Sequence, residues 1–586
     1  MSPDADFAGP CKNPNKRFFS KRGHRVPRRD KQEDEKSPNK ENEMTKHSFV
    51  KACVALAAAM AVAPAVNAAP EKVDTKMCTA CHSNIGGFHK SGAHKDVSCT
   101  SCHTGLTKHM SAPGKDTRPT TSMDPKTCGS CHPAQFNSMH QVNDHRIPRQ
   151  SKKAANGVAP DPFFDRALGA HGFTKEHDEP RSHTFAALDQ FLIDRGFGGR
   201  FEPKDGWMYM GMGDGAFRVW DVIKDNYPED NVHKPRRPGT AAAVNSVCWT
   251  CKSTDLMLDW AYMGDKVEGA KWSRQSNPVD LMRNVNHALN CNFCHDPHST
   301  QPRVVRDGLI QALTRTDFPT VYSQDPKATK INVIDMGVRG FTRKIATMEK
   351  ADSKLMCAQC HVEYNCNPGF DPKTGKAIGM GDQRTNLFPF VDVTKIDEFY
   401  AHAGFKDFKH PATGAALTKM QHPDVETYWN STHDKAGVQC ADCHMPKIKD
   451  KKTGKVYTSH WSTSPRNYMK ETCMQCHKDK TEKQLNKVID GMKAYYMGKL
   501  REAESRMTDM FNAFDLAIAM GVSNEVLNKA RELHSVAHTN WEWWTAVNGA
   551  YFHNPEAARL SLAKSADAAQ KATKILRDAM TAKNKK

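Results

Sequence analysis

The sequence predicts a mainly α-helical protein with little β structure, in which an N-terminal and a catalytic domain pack around covalently bound groups and long helices follow. Three observations lead to this prediction. Cysteine occurs 19 times in 586 residues, and sixteen of these cysteines form CxxC pairs. Only 38% of the residues are hydrophobic, which is too few to fill a large core with side chains alone. The segment after Thr481 has apolar residues at helical spacing, whereas strand-like alternation is scarce throughout.

Seven of the eight CxxC pairs are followed directly by histidine, which gives CxxCH, the attachment motif of haem c. Two thiols one helical turn apart bind the haem vinyl groups, and the adjacent imidazole becomes the proximal iron ligand. Zinc is the alternative, but zinc sites need no histidine after every pair. The predicted attachment cysteines are Cys78, Cys81, Cys99, Cys102, Cys128, Cys131, Cys248, Cys251, Cys291, Cys294, Cys357, Cys360, Cys440, Cys443, Cys473 and Cys476. The predicted proximal histidines are His82, His103, His132, His295, His361, His444 and His477.

The eighth pair ends in lysine, as CWTCK at 248–252. A lysine amine must lose its proton before it binds iron, and it does so only in a desolvated, metal-coupled site. We therefore expect Lys252 to be the proximal ligand of an eighth haem whose iron keeps one open face. The alternative is a degenerate motif without haem.

The formal net charge is +18, which in another protein would favour nucleic acid or an acidic membrane surface as partner. Eight haems would bring about sixteen propionate charges, so the cofactors balance most of the basic residues. Nucleic acid is therefore not expected as a partner, and the remaining basic excess favours small anions.

The chain opens with two segments that precede the motifs. Residues 1–43 are polar and mixed in charge, and we interpret them as a disordered or misannotated leader, with Met44 rather than Met1 as the initiator. Residues 44–68 have the form of a secretory signal peptide cleaved near Ala68, because their apolar stretch is shorter than the roughly 20 residues that span a bilayer. This pattern predicts a periplasmic protein.

The density of the motifs divides the remaining chain into three parts. A three-haem domain and a linking segment occupy 69–240, a five-haem catalytic domain occupies 241–480, and long helices occupy 481–586. Breaks at 521–524 and at 554–555 are expected to divide those helices into three.

Three segments resemble the ammonium-forming cytochrome c nitrite reductases: CWTCK, CAQCHVEY at 357–364 and KMQHP at 419–423. That family has five haems, and three further motifs upstream make this chain similar to its octahaem branch. The resemblance implies six-electron reduction of nitrite to ammonium at a lysine-ligated haem, with hydroxylamine and sulfite as further substrates. It identifies Tyr364, His422 and Gln421 as catalytic residues. The segment at 194–201 resembles the family's arginine region and makes Arg195 the catalytic arginine, ahead of Arg236 and Arg237.

The resemblance also implies distal haem ligands in the five-haem part, within PRSH, STH, YTSH and YFHNP. These are His183, His433, His460 and His553. For the three N-terminal haems the sequence only nominates candidates, namely His94, His109, His171 and His298, with His89, His177 and His287 as further possibilities.

Two other features follow from the same resemblance. A calcium site beside the active haem is implied, with the Glu363 and Gln421 side chains and the carbonyls of Tyr364 and Lys419 as hard oxygen ligands; ordinary polar packing is the alternative. Cys366 has no disulfide partner in the mature chain, and the octahaem branch implies a thioether between it and the Tyr364 ring. A buried free thiol is the alternative.

Other functions stay open at this point. Octahaem hydroxylamine oxidoreductases resemble the chain in haem number but use histidine at every proximal position, so Lys252 argues against them. A tetrathionate reductase and a pure multihaem electron-transfer protein, with all eight irons six-coordinate, are the remaining alternatives. The expected partners are nitrite, a periplasmic or quinol-linked electron donor, and further copies of the chain in a trimer or hexamer.

Overall fold

The computed structural model describes residues 73–140, 183, 246–277, 281, 287–337, 341–410 and 412–585. The predicted leader and signal peptide lie outside these residues, as do Arg195, His171 and His177. None of the helices in the described ranges is both long and apolar enough to cross a membrane.

Short helices, most of them of one or two turns, make up the part of the chain that carries the CxxC motifs. In the N-terminal region these are α1 Thr75–Cys81, α2 Ser83–Ser91, α3 Leu106–Ser111, α4 Pro125–Gly129 and α5 Pro133–Met139. The central region has α6 Ser246–Trp249, α7 Thr254–Leu258, α8 Cys291–Cys294, α9 Asp307–Thr314, α10 Ser353–Cys357, α11 Ile396–Ala403, α12 Asp424–Tyr428, α13 Thr432–Lys435, α14 Cys440–His444 and α15 Cys473–Cys476. Single 3₁₀ turns lie at Cys99–Ser101, Lys115–Thr117, Tyr262–Gly264, Gln383–Asn386 and Pro465–Tyr468.

Capping residues explain why several of these short helices start where they do. Asp74, Asp124 and Asp352 each accept a hydrogen bond from the backbone N–H two residues later, at the start of α1, α4 and α10. Asn290 does the same for α8. Such caps satisfy N–H groups that have no partner within the helix, so the cysteines that follow are held on an ordered turn.

Strands are short and form small antiparallel sheets. The strands are β1 His103–Thr104, β2 Thr120–Thr121, β3 Arg303–Val304, β4 Ile331–Asp335, β5 Lys344–Met348, β6 Gly369–Phe370, β7 Ala377–Ile378, β8 Phe408–Lys409, β9 Ala416–Leu417, β10 Lys447–Lys449 and β11 Val456–Thr458. The largest sheet has the order β3-β5-β4, and the others are two-stranded hairpins or pairs. The expectation of a mainly helical chain with little β structure is confirmed.

Long helices form the C-terminal end, as expected. They are α16 Glu482–Ala519, α17 Asn524–Ala546, the short α18 Ala550–His553, and α19 Pro555–Asn584. Thr481 and Gln484 form a reciprocal capping box at the start of α16. The breaks fall at the two predicted places, with Ser523 and Asn554 in the N-cap positions. A third break, just before Gly549 in the left-handed conformation, was not predicted.

Two apolar clusters hold these elements together. One lies around Trp249, Trp260 and Phe388 in the central region. The other joins α16, α17 and α19 to the segment around α11, with Phe511 and Trp541 fully buried. The C-terminal helices therefore pack on the central region as well as on each other.

A truncation inside the second cluster tests this packing. Phe514 in α16 is 0% exposed, whereas Leu516 two residues later is 60% exposed. We expect Phe514→Ala to lower the free energy of unfolding by about 3–5 kcal/mol because it leaves a cavity. Leu516→Ala is the matched control and should change it by less than about 1 kcal/mol. Urea unfolding followed by circular dichroism measures both, and equal effects would contradict the packing described here.

Candidate functional site

Each CxxC motif lies on or beside a helical turn, which brings both thiols and the following residue to one side of the backbone. In five motifs the histidine N–H donates to the carbonyl of the first cysteine, and in each of them the distance is 2.9 Å. These bonds are His82–Cys78, His132–Cys128, His295–Cys291, His361–Cys357 and His477–Cys473. The turn therefore presents two thiols and an imidazole together, as covalent haem attachment requires.

Each of the seven CxxCH histidines faces a second histidine ring from a distant part of the chain. The ring centroids lie 6.1–6.4 Å apart in every pair. The pairs are His82–His109, His132–His94, His103–His298, His361–His183, His295–His460, His477–His433 and His444–His553.

This spacing fits an iron ion between the rings. A metal–imidazole bond is about 2 Å long, and the ring centroid lies about 1.1 Å behind the bonding nitrogen, so two axial imidazoles place their centroids about 6.2 Å apart. Direct ring stacking would bring the centroids closer, as in the pair formed by Phe136 and His140 at 4.3 Å. The residues present therefore fit bis-histidine haem.

The protonation state of the rings suits the same role. Burial lowers the pKa of His295, His298 and His553 to about 4, so these rings are neutral at pH 7. A neutral imidazole is the form that binds a metal. In three others the Nδ1 nitrogen donates to a backbone carbonyl: His94 to Pro297 at 2.9 Å, His444 to Thr463 at 3.0 Å, and His460 to Thr458 at 2.9 Å. These bonds leave the Nε2 lone pair of each ring for the metal.

The structure brings seven of the eight candidate distal histidines into such pairs, and the eighth, His171, lies outside the described residues. Two further nominees have other partners. The Nε2 of His89 is 3.0 Å from the Val97 carbonyl oxygen, and the Nδ1 of His287 is 2.9 Å from the Asp255 carboxylate. The ring pairing thus selects among N-terminal candidates that the sequence left equivalent.

The CWTCK motif lies deep in the central cluster. Trp249 is 0% exposed and Cys251 is 3% exposed. The Lys252 N–H donates to the Trp249 carbonyl at 2.9 Å, three residues back, so this turn is tighter than those in which the histidine N–H donates to the first cysteine. Cys251 hydrogen-bonds to Cys360 of the CAQCH motif, and this bond lowers its pKa. Cys248 hydrogen-bonds to Cys366.

Tyr364 and His422 meet beside this motif. Their ring centroids are 6.3 Å apart at an interplanar angle of 28°, and the side chains are 4% and 9% exposed. The Gln421 side-chain amide donates to the Cys366 sulfur at 3.2 Å. Two segments 55 or more residues apart therefore converge on CWTCK through Cys366.

Buried carboxylates surround this convergence. Glu363 is 0% exposed, and it accepts hydrogen bonds from the Tyr400 hydroxyl at 2.9 Å and the Gln421 N–H at 2.6 Å. Burial raises the pKa of Glu363 and Glu426 well above the usual range and that of Asp407 to about 7. One oxygen of Glu426 has no hydrogen-bond partner.

A hard cation would satisfy this cluster. Across the described ranges no three His, Cys, Asp or Glu side chains form a metal site by themselves. The predicted calcium ligands contain a single carboxylate, from Glu363, with an amide and two backbone carbonyls as the other donors. A bound cation there would offset the cost of burying these carboxylates and favour their charged forms.

Sequence reasoning missed two residues beside CWTCK. Arg306 is fully buried, donates to Asn386 at 2.9 Å and hydrogen-bonds to Cys251. The Gln359 side chain accepts the N–H of Val305 at 2.7 Å, and its backbone carbonyl accepts from Cys251 at 3.7 Å. Arg306 belongs to no motif, and Gln359 is one of the two variable positions of CAQCH, so only their position in the fold reveals them.

Hydrogen bonds and electrostatic interactions between thiols of different motifs link the motifs in a series. Cys78 contacts Cys99, and Cys128 hydrogen-bonds to Cys291. Cys357 also hydrogen-bonds to Cys440, and Cys360 to Cys251. The thiols of Cys102 and Cys128, of Cys294 and Cys357, and of Cys443 and Cys473 interact electrostatically without a hydrogen bond. All eight motifs are therefore connected, and CAQCH at 357–361 is the branch point next to CWTCK.

The helical fold, the repeated attachment turns and the paired imidazoles define a multihaem c-type cytochrome. The family model described as Cytochrome c552 matches residues 219–586, and the chain belongs to this family.

Relatives carry related names. The chain is 28% identical over 442 residues to the cytochrome c nitrite reductase subunit NrfA of Nitratidesulfovibrio vulgaris, covering 71% of this chain and 69% of that protein. It is 27% identical over 425 residues to cytochrome c-552 of Haemophilus influenzae, covering 70% and 66%. The structure of the cytochrome c nitrite reductase of Desulfovibrio desulfuricans has a similar fold, with a TM-score of 0.53, 23% identity, and coverage of 78% of this chain and 87% of that one.

The pair formed by His103 and His298 allows a direct test, because the two residues lie far apart in sequence. We expect His298→Ala to convert one low-spin haem into a high-spin or water-ligated one, since its distal imidazole is lost. His287→Ala is the matched control, because His287 bonds to Asp255 instead, and it should leave the spin states unchanged. Electron paramagnetic resonance of the oxidised protein measures the difference, and an unchanged low-spin count in His298→Ala would contradict the pairing.

Proposed function

We propose that this protein is an octahaem nitrite reductase that converts nitrite to ammonium at a haem c attached through Cys248 and Cys251 and ligated by Lys252. The observation that carries the proposal is the convergence of Tyr364, His422 and the CWTCK motif in one buried place. The names of the relatives support the choice of nitrite.

The buried side chains suit the reduction of a small anion. When bound, the Lys252-ligated haem would supply the iron that binds nitrite and the electrons for its reduction. The Tyr364 hydroxyl and the His422 ring are donors that can hydrogen-bond the anion's oxygens and pass protons to them as they leave as water. Because both side chains are buried, water competes little for these hydrogen bonds. Arg195 remains the proposed third contact to the anion.

The reduction of nitrite to ammonium requires six electrons at a single haem, without release of partly reduced products. The seven paired-histidine positions and their connected motifs would provide a continuous path that ends beside CWTCK through the thiol contact of Cys360 and Cys251. Sites with two protein ligands on the iron transfer electrons but bind no substrate. Hydroxylamine and sulfite are proposed as further substrates, because each is small enough to meet the same donors.

Calcium is proposed next to this site, held by the Glu363 and Gln421 side chains and by the Tyr364 and Lys419 carbonyls. The buried carboxylates described above support it. A bound cation there would fix the segments that carry Tyr364 and His422 relative to each other.

Location and assembly are proposed from the sequence pattern. The protein is assigned to the periplasm, after cleavage near Ala68, where a periplasmic or quinol-linked donor would reduce it. Large apolar side chains on the surface of α16 and α19, including Val488, Tyr495 and Leu560, support a homo-oligomer, with a trimer or hexamer as the proposed number.

Ammonium formation tests the function directly. The purified holoprotein with a reduced viologen should convert nitrite to ammonium, and Tyr364→Phe should lower kcat by about 10²-fold or more, because it removes a proton donor. Tyr322→Phe is the matched control, since the Tyr322 hydroxyl donates to the Thr329 carbonyl at 3.0 Å away from the motif. Fast hydroxylamine oxidation without nitrite reduction would favour the oxidoreductase alternative. Failure of every exogenous ligand to bind the reduced protein would favour a pure electron carrier.

The proposed thioether between Tyr364 and Cys366 is tested by peptide mass. Formation of a carbon–sulfur bond from a ring C–H and a thiol releases two protons and two electrons, and two oxidised haems of the holoprotein would accept one electron each. The cross-linked peptide should therefore be about 2 Da lighter than the unmodified one. Cys366→Ser is the control and should show no such loss. An unmodified wild-type peptide with a reactive thiol would rule the bond out.

A further inference from the structure

Asp424 is a buried carboxylate bonded to an imidazole that is predicted to bind iron. It is 6% exposed, and its Oδ2 accepts from His361 Nδ1 at 3.2 Å. Its Oδ1 accepts the backbone N–H of Asn548 at 2.8 Å. Because a carboxylate only accepts, His361 must carry its proton on Nδ1, which leaves Nε2 for the iron.

This contact differs from those at the other paired rings. In the described residues His94, His444 and His460 donate to neutral backbone carbonyls. His298 lies 3.8 Å from Asp296, beyond hydrogen-bond range, and that carboxylate is already bonded to Arg303 at 2.9 Å. Among the hydrogen bonds formed between described residues, His361 is therefore the one paired ring that donates to a carboxylate.

The same charge also acts on a second pair. The helix that begins at Asp424 also contacts this pair, because the ring centroids of Tyr428 and His553 are 5.9 Å apart, and the Asp424 carboxylate interacts electrostatically with His444 and His553. Asp424 thus bonds to the His361–His183 position and acts electrostatically on the His444–His553 position. These correspond to the branch motif and to its neighbour in the series of thiol contacts.

Asp424 is also connected through backbone hydrogen bonds to the proposed substrate site. Its N–H donates to the His422 carbonyl at 2.6 Å, and the next N–H, of Val425, donates to the His361 carbonyl at 3.0 Å. The segment 422–425 therefore carries the proposed proton donor and the carboxylate, and it is bonded to the CAQCH motif that adjoins CWTCK.

We propose that Asp424 is a positioning residue that acts through His361 to make the haem held by His361 and His183 a stronger reductant than the other bis-histidine sites. A carboxylate on the far nitrogen increases the electron donation of an imidazole to its metal. Oxidised haem iron carries one more positive charge than reduced iron, so a nearby buried anion stabilises the oxidised form. Both effects make the reduction potential more negative, most strongly at His361 and more weakly at His444. The inference rests on the proposed function, because it places this reductant next to the proposed site of nitrite reduction.

A redox titration of the holoprotein, followed by visible absorption and electron paramagnetic resonance, tests this proposal. We expect Asp424→Asn to shift one low-spin component clearly to more positive potential and a second one less, with the others unchanged. Asp371→Asn is the matched control, because Asp371 accepts the Lys373 and Thr374 N–H groups in a solvent-exposed turn, and asparagine serves equally well in such turns. It should leave every potential as in the wild type.

A second pair of variants separates charge from structure. Asp424→Glu and Asp424→Gln have side chains of equal size, so only the first should keep a potential close to that of the wild type. Unchanged potentials in both Asp424→Asn and Asp424→Gln, or the same shift in Asp424→Glu as in Asp424→Gln, would overturn the proposal. Nitrite turnover is measured separately. A shifted potential in a protein that forms no ammonium would contradict the proposed function but not this inference. Ammonium formation with unshifted potentials would contradict only this inference.

Discussion

The pairing of imidazoles across a gap the size of an iron ion is the constraint on which the rest of the structure depends. Each pair joins a short, capped turn to a residue far away in the chain, such as His103 to His298 or His444 to His553. The local turns alone are one or two helical turns long and would be marginal in water. Tertiary pairing therefore has to hold them, and the predicted metal–ligand bonds would add covalent and coordinate links to a chain with few apolar residues.

The C-terminal helices have a different basis for stability. Their core is built from side chains such as Phe511, Phe514 and Trp541, without any CxxC motif. Even so, α18 carries His553, which pairs with His444, and the backbone before it donates to Asp424. The C-terminal helices therefore contact the haem-binding region near the CAQCH motif, where the proposed electron path branches.

Electrostatics organise the centre of the molecule. Glu363, Asp407 and Glu426 are buried near CWTCK with raised pKa values, while Arg306 is fully buried on the side of Cys251. A cation bound among these carboxylates would favour their charged forms, and opposite charges on the two sides of one motif would suit the proposed site for an anionic substrate.

The sequence by itself determined the attachment positions and the helical character of the chain, because both are local. A CxxCH motif is a single turn, and helical periodicity and caps such as Thr481 and Asn554 act within a few residues. The helix breaks were predicted for the same reason, apart from the one before Gly549. The choice of Tyr364 and His422 came from a resemblance of short segments, and the structure places them together.

Only the tertiary structure decided which histidine pairs with which motif. His89, His94, His109, His287 and His298 were equivalent in sequence, and no local rule separates a ring that faces a partner from one that bonds to Asp255 or to Val97. The roles of Arg306 and Asp424 could not be predicted from the sequence for the same reason, because the effect of a buried charge depends on the groups that surround it in the fold. Distances between remote segments are set by the packing of the whole chain. For this physical reason they cannot be predicted from the spacing of residues along the sequence.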